Sequence, residues 1–149
     1  MNMSNLDKKS FMWGVATSSY QVEGAHNLDG RGPSVWDTFS HKKGNVKNDD
    51  NGDTTCNHYK FWEEDIALIK KLGVNAYRFS LSWSRIFPKG TEKKVNQKGI
   101  DFYQTLIDTL LFKGIDPVLT LNHWDMPQGL EDIGGWTSRN VVEEFTRYT

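Results

Sequence analysis

Three short stretches of the chain carry the apolar pattern of β-strands. The run 10–17 is short and apolar, which predicts a buried strand. Between Val74 and Trp83 apolar and polar residues alternate strictly, which predicts a second strand. The run 115–124 predicts a third strand, with Pro117 at its start. A polar stretch rich in Gly, Asn and Asp, from about 18 to 53, follows the first strand, and connections of that length are commonly functional or disordered.

Helical patterns separate these strands. Apolar residues at spacings of three and four predict helices over about 55–72 and over 96–113, and a glycine follows each of them as a stop. A third helix is predicted from Thr137 or Ser138, either of which suits the N-cap. The predicted apolar stripes are Tyr59, Trp62, Ile66, Ile69 and Leu72 in the first helix, and Ile100, Tyr103, Ile107 and Leu110 in the second.

The element order β-α-β-α-β-α is typical of parallel strands joined by helical crossovers. Both an open doubly wound sheet and a (β/α)8 barrel have this order, and the second strand helps to choose. One face carries Tyr77, Phe79, Leu81 and Trp83, and the other carries Ala76, Arg78, Ser80 and Ser82. A doubly wound sheet expects apolar residues on both faces, whereas a barrel strand can point small or polar residues inward. The pattern therefore favours an α/β fold of the (β/α)8 TIM-barrel kind, and no composition break indicates a domain boundary within 1–149.

Composition narrows the class of protein. A net charge of −1 argues against nucleic acid as a main partner. No run of about 20 apolar residues predicts a membrane span, and the N-terminus lacks the apolar core of a signal peptide. A single cysteine, Cys56, excludes an internal disulfide framework. We therefore expect a cytoplasmic protein. The six Trp residues suit either an aromatic-lined cleft or ordinary packing between helices and sheet.

Polar groups and one indole stand together where the third strand is predicted to end. The segment from Thr120 to Leu130 reads TLNHWDMPQGL and contains Asn122, His123 and Trp124 in a row. Such a run is poor packing material, but it suits contact with a polar ligand that has a flat apolar face, such as a sugar ring. A lone His before a Trp is nevertheless more often structural.

Four longer blocks decide between these interpretations. FMWGVATSSYQVEGA (Phe11–Ala25) closely resembles the N-terminal signature of family 1 glycoside hydrolases, the group of β-glucosidases, β-galactosidases and myrosinases. GRGPSVWDTF, YRFSLSWSRIFP and TLNHWDMPQGLEDIGGW resemble further blocks of that family, in the same order. The resemblance covers nearly the whole chain from Phe11 onward. It implies a (β/α)8 barrel that hydrolyses β-glycosides with retention, using two Glu carboxyls about 5–5.5 Å apart.

The resemblance also implies roles for single residues. Gln21 and His123 would hydrogen-bond hydroxyls of the non-reducing sugar, and Trp124 would shape the same subsite. Arg78 would pair with the nucleophilic Glu, because a barrel-facing charge needs a carboxylate partner. We read Glu23, Asp37 and Asp125 as structural, capping turns or pairing with backbone and Arg groups.

Both catalytic motifs of the family are absent from these 149 residues. The acid/base lies in an Asn-Glu-Pro motif and the nucleophile in a Glu-Asn-Gly motif, and the sequence contains neither. The chain thus resembles the N-terminal third of the enzyme, the first three βα units of a (β/α)8 TIM barrel. On this resemblance, 1–149 form the N-terminal part of a single domain and contain no catalytic residue. We expect it to be inactive alone and to self-associate through exposed sheet edges. The alternative is a truncated or non-catalytic sugar-binding protein, a pseudo-enzyme.

Cofactor and metal sites are not expected. Cys56 and His58 have metal-capable atoms but no companion pair, and the resemblance implies neither a metal nor a cofactor. The four blocks do not distinguish specificity for glucose from specificity for galactose or for 6-phosphate sugars. The residues that determine this specificity are expected beyond Thr149.

Overall fold

A three-stranded parallel sheet lies at the centre of the computed structural model, which describes residues 11–149. The strands are β1 (Gly14–Ala16), β2 (Ala76–Ser80) and β3 (Asp116–Thr120), in the spatial order β1-β2-β3. Both neighbouring pairs are parallel. Their carboxyl ends therefore meet at one edge of the sheet, where loops of α/β proteins carry functional residues.

Seven α-helices accompany this sheet in the part of the chain that the structure describes. They are α1 (Ser19–Val22), α2 (Val35–His41), α3 (His58–Lys71), α4 (Trp83–Ile86), α5 (Gln97–Phe112), α6 (Gln128–Glu131) and α7 (Arg139–Tyr148). The three predicted helices correspond to α3, α5 and α7, and Ser138 is the N-cap of α7. Gly73 and Gly114 both have positive φ after α3 and α5, so the predicted glycine stops are confirmed.

The strands are shorter than predicted, and the second prediction placed Trp83 wrongly. β2 ends at Ser80, because the N–H of Ser82 donates to the Tyr103 hydroxyl at 2.7 Å and thus leaves the sheet. Trp83 then begins α4, fully buried, with its indole stacked on Tyr148 at 4.8 Å. It belongs to the core, as its hydrophobicity indicated, but it does not lie on the strand.

The other two strands, and the apolar stripe of the first predicted helix, also end at different residues from those predicted. β1 covers only 14–16 of the predicted 10–17, whose first residue lies outside the described part of the chain, and β3 covers only 116–120 of 115–124. Leu72 was assigned to the buried stripe of the first helix, but it is 68% exposed. The helix ends at Lys71, and the chain turns away at Gly73.

The core lies between the sheet and the long helices. Tyr77 and Phe79 point from β2 into it and are almost fully buried, which confirms the predicted apolar face. Helices α3 and α5 contribute Ile66, Ile69, Leu106 and Leu110. Each buried aliphatic side chain of this size stabilises the fold by about 1.5–3 kcal/mol. Within 11–149, no helix combines the length and the apolar character that a membrane crossing requires.

The long polar stretch is ordered and contains α1, α2 and a 3₁₀ turn at Lys47–Asp49. Ser34 and Asp37 form a capping box at the start of α2, with the Ser34 N–H donating to the Asp37 carboxylate at 2.6 Å. The backbone N–H of Val35 donates to the Met126 carbonyl at 2.9 Å. The stretch is therefore fastened to the loop that follows β3, close to the predicted sugar-binding residues.

Candidate functional site

Gln21 lies just past the carboxyl end of β1. The chain leaves the strand at Ala16 and forms the single turn α1, whose third residue is Gln21. Ser19 in the same turn is buried, whereas Gln21 is exposed. This placement leaves the Gln21 amide, which can both donate and accept hydrogen bonds, free to meet a ligand.

His123 and Trp124 lie past the carboxyl end of β3. Their rings are 5.9 Å apart; His123 is half-buried, and Trp124 is 75% exposed. Trp124 has a φ of +71°, a conformation that a bulky residue adopts only where the surrounding structure holds it. The next residue, Asp125, is fully buried. The segment is therefore anchored by the buried Asp125 and leaves the Trp124 indole exposed to solvent.

A buried hydrogen-bond chain connects the loops that carry these residues. The Ser19 hydroxyl donates to the Asp125 carboxylate at 2.5 Å. The Ser80 hydroxyl, at the end of β2, donates to the Ser19 oxygen at 3.1 Å and accepts from the Ser19 N–H at 2.7 Å. Residues near Gln21 and His123 are thus joined across all three strand ends.

Burial raises the pKa of the Asp125 carboxyl to about 6, and the hydrogen bond from Ser19 opposes that rise. In its ionised form the Asp125 carboxylate can only accept hydrogen bonds. It accepts a second one from the backbone N–H of His123, at 3.4 Å. Asp125 was predicted to pair with backbone groups, and these contacts confirm that prediction.

Arg78 stands in the middle of β2, on the sheet face opposite to Tyr77 and Phe79. Its side chain is exposed, and no carboxylate within 11–149 forms an ion pair with it. The guanidinium group is available for an anionic partner. The predicted pairing with a nucleophilic Glu stays a prediction.

Glu23 and Asp37 are held by cations and backbone groups, as predicted. The Glu23 carboxylate lies 3.0 Å from the Arg85 guanidinium and accepts a hydrogen bond from Tyr103 at 2.5 Å. Asp37 accepts the capping hydrogen bond from Ser34 and lies 2.9 Å from Arg31. Both carboxylates are buried in these contacts, so neither is placed to attack a substrate or to protonate a leaving group.

An open groove of about 690 Å³ lies beside Trp124. Its aromatic walls are Trp36, Phe39, Trp124 and Trp136, and its polar lining includes Asn122 and Gln128. Flat apolar faces with a few polar groups suit a ligand that offers both kinds of surface. The count of six Trp residues was the signal for such a cleft, but their positions along the chain did not show which of them would meet.

Comparison with known proteins gives one consistent result. The model of the family described as glycosyl hydrolase family 1 matches residues 3–149. Beta-glucosidase A of Thermotoga maritima is 57% identical over 141 residues, which are 95% of this chain and 31% of that protein. The cytosolic beta-glucosidase of Homo sapiens is 53% identical over 139 residues, 93% of this chain and 30% of that protein.

A solved structure agrees with the sequence comparison. The beta-glucosidase from Thermotoga maritima in complex with deoxynojirimycin superimposes with a TM-score of 0.90 and 59% identity, over 93% of this chain and 31% of that one. The likeness confirms the predicted fold class, three βα units of a (β/α)8 barrel. The chain spans about a third of the length of these relatives.

Proposed function

Since this chain belongs to glycosyl hydrolase family 1, we propose that the complete protein hydrolyses β-glycosides, with β-glucosides as substrates and with retention at the anomeric carbon. The observation that carries the proposal is the hydrogen bond between Ser19 and Asp125. It brings the loops after β1 and β3 together, and these loops carry Gln21 and His123.

Gln21, His123 and Trp124 are proposed to bind the non-reducing sugar. An amide and an imidazole each offer a donor and an acceptor, which matches adjacent sugar hydroxyls. The exposed indole of Trp124 offers a flat apolar face to the C–H side of the ring. The free guanidinium of Arg78 is proposed to face the nucleophilic carboxylate and to favour its ionised state.

The two catalytic carboxyls are proposed to come from residues other than these 149, which form the N-terminal part of a single (β/α)8 domain. Glu23, Asp37 and Asp125 are each buried in hydrogen bonds or ion pairs. A retaining glycosidase needs one carboxyl free to attack and a second free to give and take a proton. The three residues are therefore structural in the proposed mechanism.

The stereochemistry of the first product tests the proposed reaction in the complete protein. Proton NMR during hydrolysis of an aryl β-glucoside is expected to show the β-anomer of glucose first and the α-anomer only after mutarotation. Initial release of the α-anomer would contradict retention. Sugar binding without any hydrolysis would support the alternative of a non-catalytic protein.

The 149 residues by themselves are expected to give no turnover in the same assay. They contain neither of the two catalytic Glu motifs of the family. Within the described residues β1 and β3 each pair only with β2. Unpaired strand edges favour association with another copy. We propose that this polypeptide sediments as dimers or larger species at micromolar concentration. A compact monomer, or turnover that tracks its mass through repurification, would contradict these expectations.

Cytoplasmic localisation and the absence of a cofactor requirement also belong to the proposal. One relative is named a cytosolic beta-glucosidase. Hydrolysis by two carboxyls needs only water as a co-reactant. A nucleic-acid or membrane partner is not proposed, because the net charge of −1 offers no electrostatic basis for either.

A further inference from the structure

The carboxylate of Asp125 contacts both loops of the proposed sugar site, with one oxygen for each loop. Oδ2 accepts the hydrogen bond of 2.5 Å from the Ser19 hydroxyl, in the turn after β1. Oδ1 accepts the backbone N–H of His123 at 3.4 Å, in the loop after β3. Asp125 is fully buried, so water does not compete for these contacts. A single buried group therefore fixes the two loops to each other.

The Oδ1 contact closes a tight turn around Trp124. It joins the N–H of the residue before Trp124 to the side chain of the residue after it. Trp124 has a φ of +71°, in the left-handed region where a bulky side chain is strained. Its indole is 75% exposed, so burial of the indole does not hold this conformation. The carboxylate of Asp125 is the group placed to hold it.

The Oδ2 contact fixes the turn that carries Gln21. Two further hydrogen bonds hold Ser19: its N–H donates to the Ser80 hydroxyl at 2.7 Å, and its carbonyl accepts the N–H of Glu23 at 2.9 Å. The N–H of Gln21 donates to the Ser18 carbonyl at 3.1 Å. These bonds make the turn one unit, so the position of Ser19 determines that of the Gln21 backbone.

A carboxylate is a costly choice for this buried position. Burial disfavours the charged form and raises the pKa of Asp125 to about 6, so the group is ionised at neutral pH against that penalty. An ionised carboxylate offers an acceptor oxygen to each loop at once. An amide of the same shape offers one acceptor and one donor, so it cannot accept from both loops. The two contacts together therefore require an aspartate.

We infer that Asp125 is a positioning residue of the proposed sugar site, which fixes the spacing between Gln21 and His123 and holds Trp124 in its left-handed conformation. The inference rests on the proposed function, because it is sugar binding that depends on this spacing. Asp125 itself touches no substrate and transfers no proton. A misplacement of about 1 Å can lower the activity of an enzyme by about 100-fold, so the loss of this link is expected to weaken sugar binding.

Calorimetry with deoxynojirimycin on the complete protein tests the inference, and it needs no turnover. Ser19→Ala removes the donor to Oδ2, and Asp125→Asn replaces one acceptor oxygen by an NH2 group. Each variant is expected to raise the dissociation constant by about tenfold or more. The double variant is expected to bind no more than about twofold more weakly than Asp125→Asn, because both changes break the same link.

Leu110→Ala is the control for a loss of stability alone. Leu110 is fully buried on α5, and the chain passes from it into the amino end of β3, opposite to the loops of the sugar site. Its removal leaves a cavity and is expected to lower the melting temperature. The dissociation constant of this variant is expected to stay within about twofold of that of the parent protein. A merely structural Asp125 would behave as Leu110 does.

A fluorine NMR signal tests the conformation of Trp124 without a ligand. The complete protein is labelled with 5-fluorotryptophan, and Trp124→Phe assigns the Trp124 signal by its loss. This signal is expected to move or broaden in Asp125→Asn and to stay in place in Leu110→Ala. If Asp125→Asn does not fold, both measurements are decided on Ser19→Ala.

An unchanged Trp124 signal in Asp125→Asn would overturn the inference. So would dissociation constants within about twofold of the parent value in both Ser19→Ala and Asp125→Asn. A parent protein that binds deoxynojirimycin but hydrolyses no β-glycoside would contradict the proposed reaction and leave the positioning role of Asp125 standing. A parent protein that does not bind deoxynojirimycin would overturn both.

Discussion

Replacing Gln21 or His123 by Ala in the complete protein is expected to lower kcat/KM for an aryl β-glucoside by about 10- to 100-fold. Each side chain is available at the carboxyl end of the sheet, on loops held together through Ser19 and Asp125. A lost hydrogen bond to a substrate hydroxyl costs about 1.4–2.7 kcal/mol when that contact tightens in the transition state.

Steady-state kinetics on folded variants measures this effect. Gln104→Ala is the matched control for Gln21→Ala, because Gln104 is an exposed glutamine on α5 whose amide donates to the Asp108 carboxylate. The control is expected to keep the kcat/KM of the parent protein. A loss below about threefold for both Gln21 and His123, less than 1 kcal/mol, would mean that the two residues are structural.

Replacing Glu23 by Ala is expected to lower the free energy of unfolding by about 3–5 kcal/mol. Glu23 is the buried partner of Arg85, whose side chain has no exposed surface. Arg85 also stacks on the Tyr59 ring at 4.0 Å, which supports the guanidinium but does not neutralise it. Removing Glu23 therefore leaves a buried charge and the Tyr103 hydroxyl without their shared acceptor.

Urea denaturation compares this variant with Asp29→Ala, which breaks the exposed ion pair to Lys98. The exposed pair is expected to contribute much less to stability, because both of its charges stay in contact with water. A double variant, Glu23→Leu with Arg85→Met, is expected to recover much of the lost stability because it removes both charges. If Glu23→Ala costs no more than Asp29→Ala, the buried pair does not hold the fold as described.

Local sequence patterns predicted those parts of the fold that depend on interactions between residues close together in the chain. The alternation around Tyr77 and Phe79 gave the correct buried face of β2, and the glycines after α3 and α5 marked the helix ends. The family blocks led to Gln21 and His123, which lie past the carboxyl ends of β1 and β3, the strands on either side of β2.

Contacts between distant residues could not be predicted in the same way. Glu23 and Arg85 are 62 residues apart, and Ser19 and Asp125 are 106 apart. No periodicity in the sequence indicates which buried Arg meets which Glu. Trp83 shows a related limit, since its hydrophobicity indicated burial, but the hydrogen bond from Ser82 to Tyr103 decided that β2 ends before it.

The aromatic groove also depends on contacts between distant residues. Trp36 and Trp136 are 100 residues apart in the chain, and both line the groove, where the polar stretch is hydrogen-bonded to the loop after β3.

A crystal structure of the complete protein with deoxynojirimycin, the sugar-like compound bound in the Thermotoga maritima structure, tests the central claim most directly. We expect the Gln21 amide and the His123 ring to lie within hydrogen-bond distance of the ligand's hydroxyls, with the Trp124 indole beside them. We also expect Arg78 to lie against a glutamate at the far side of the ligand. A ligand bound at another place, with Gln21 and His123 both out of hydrogen-bond reach, would contradict the account.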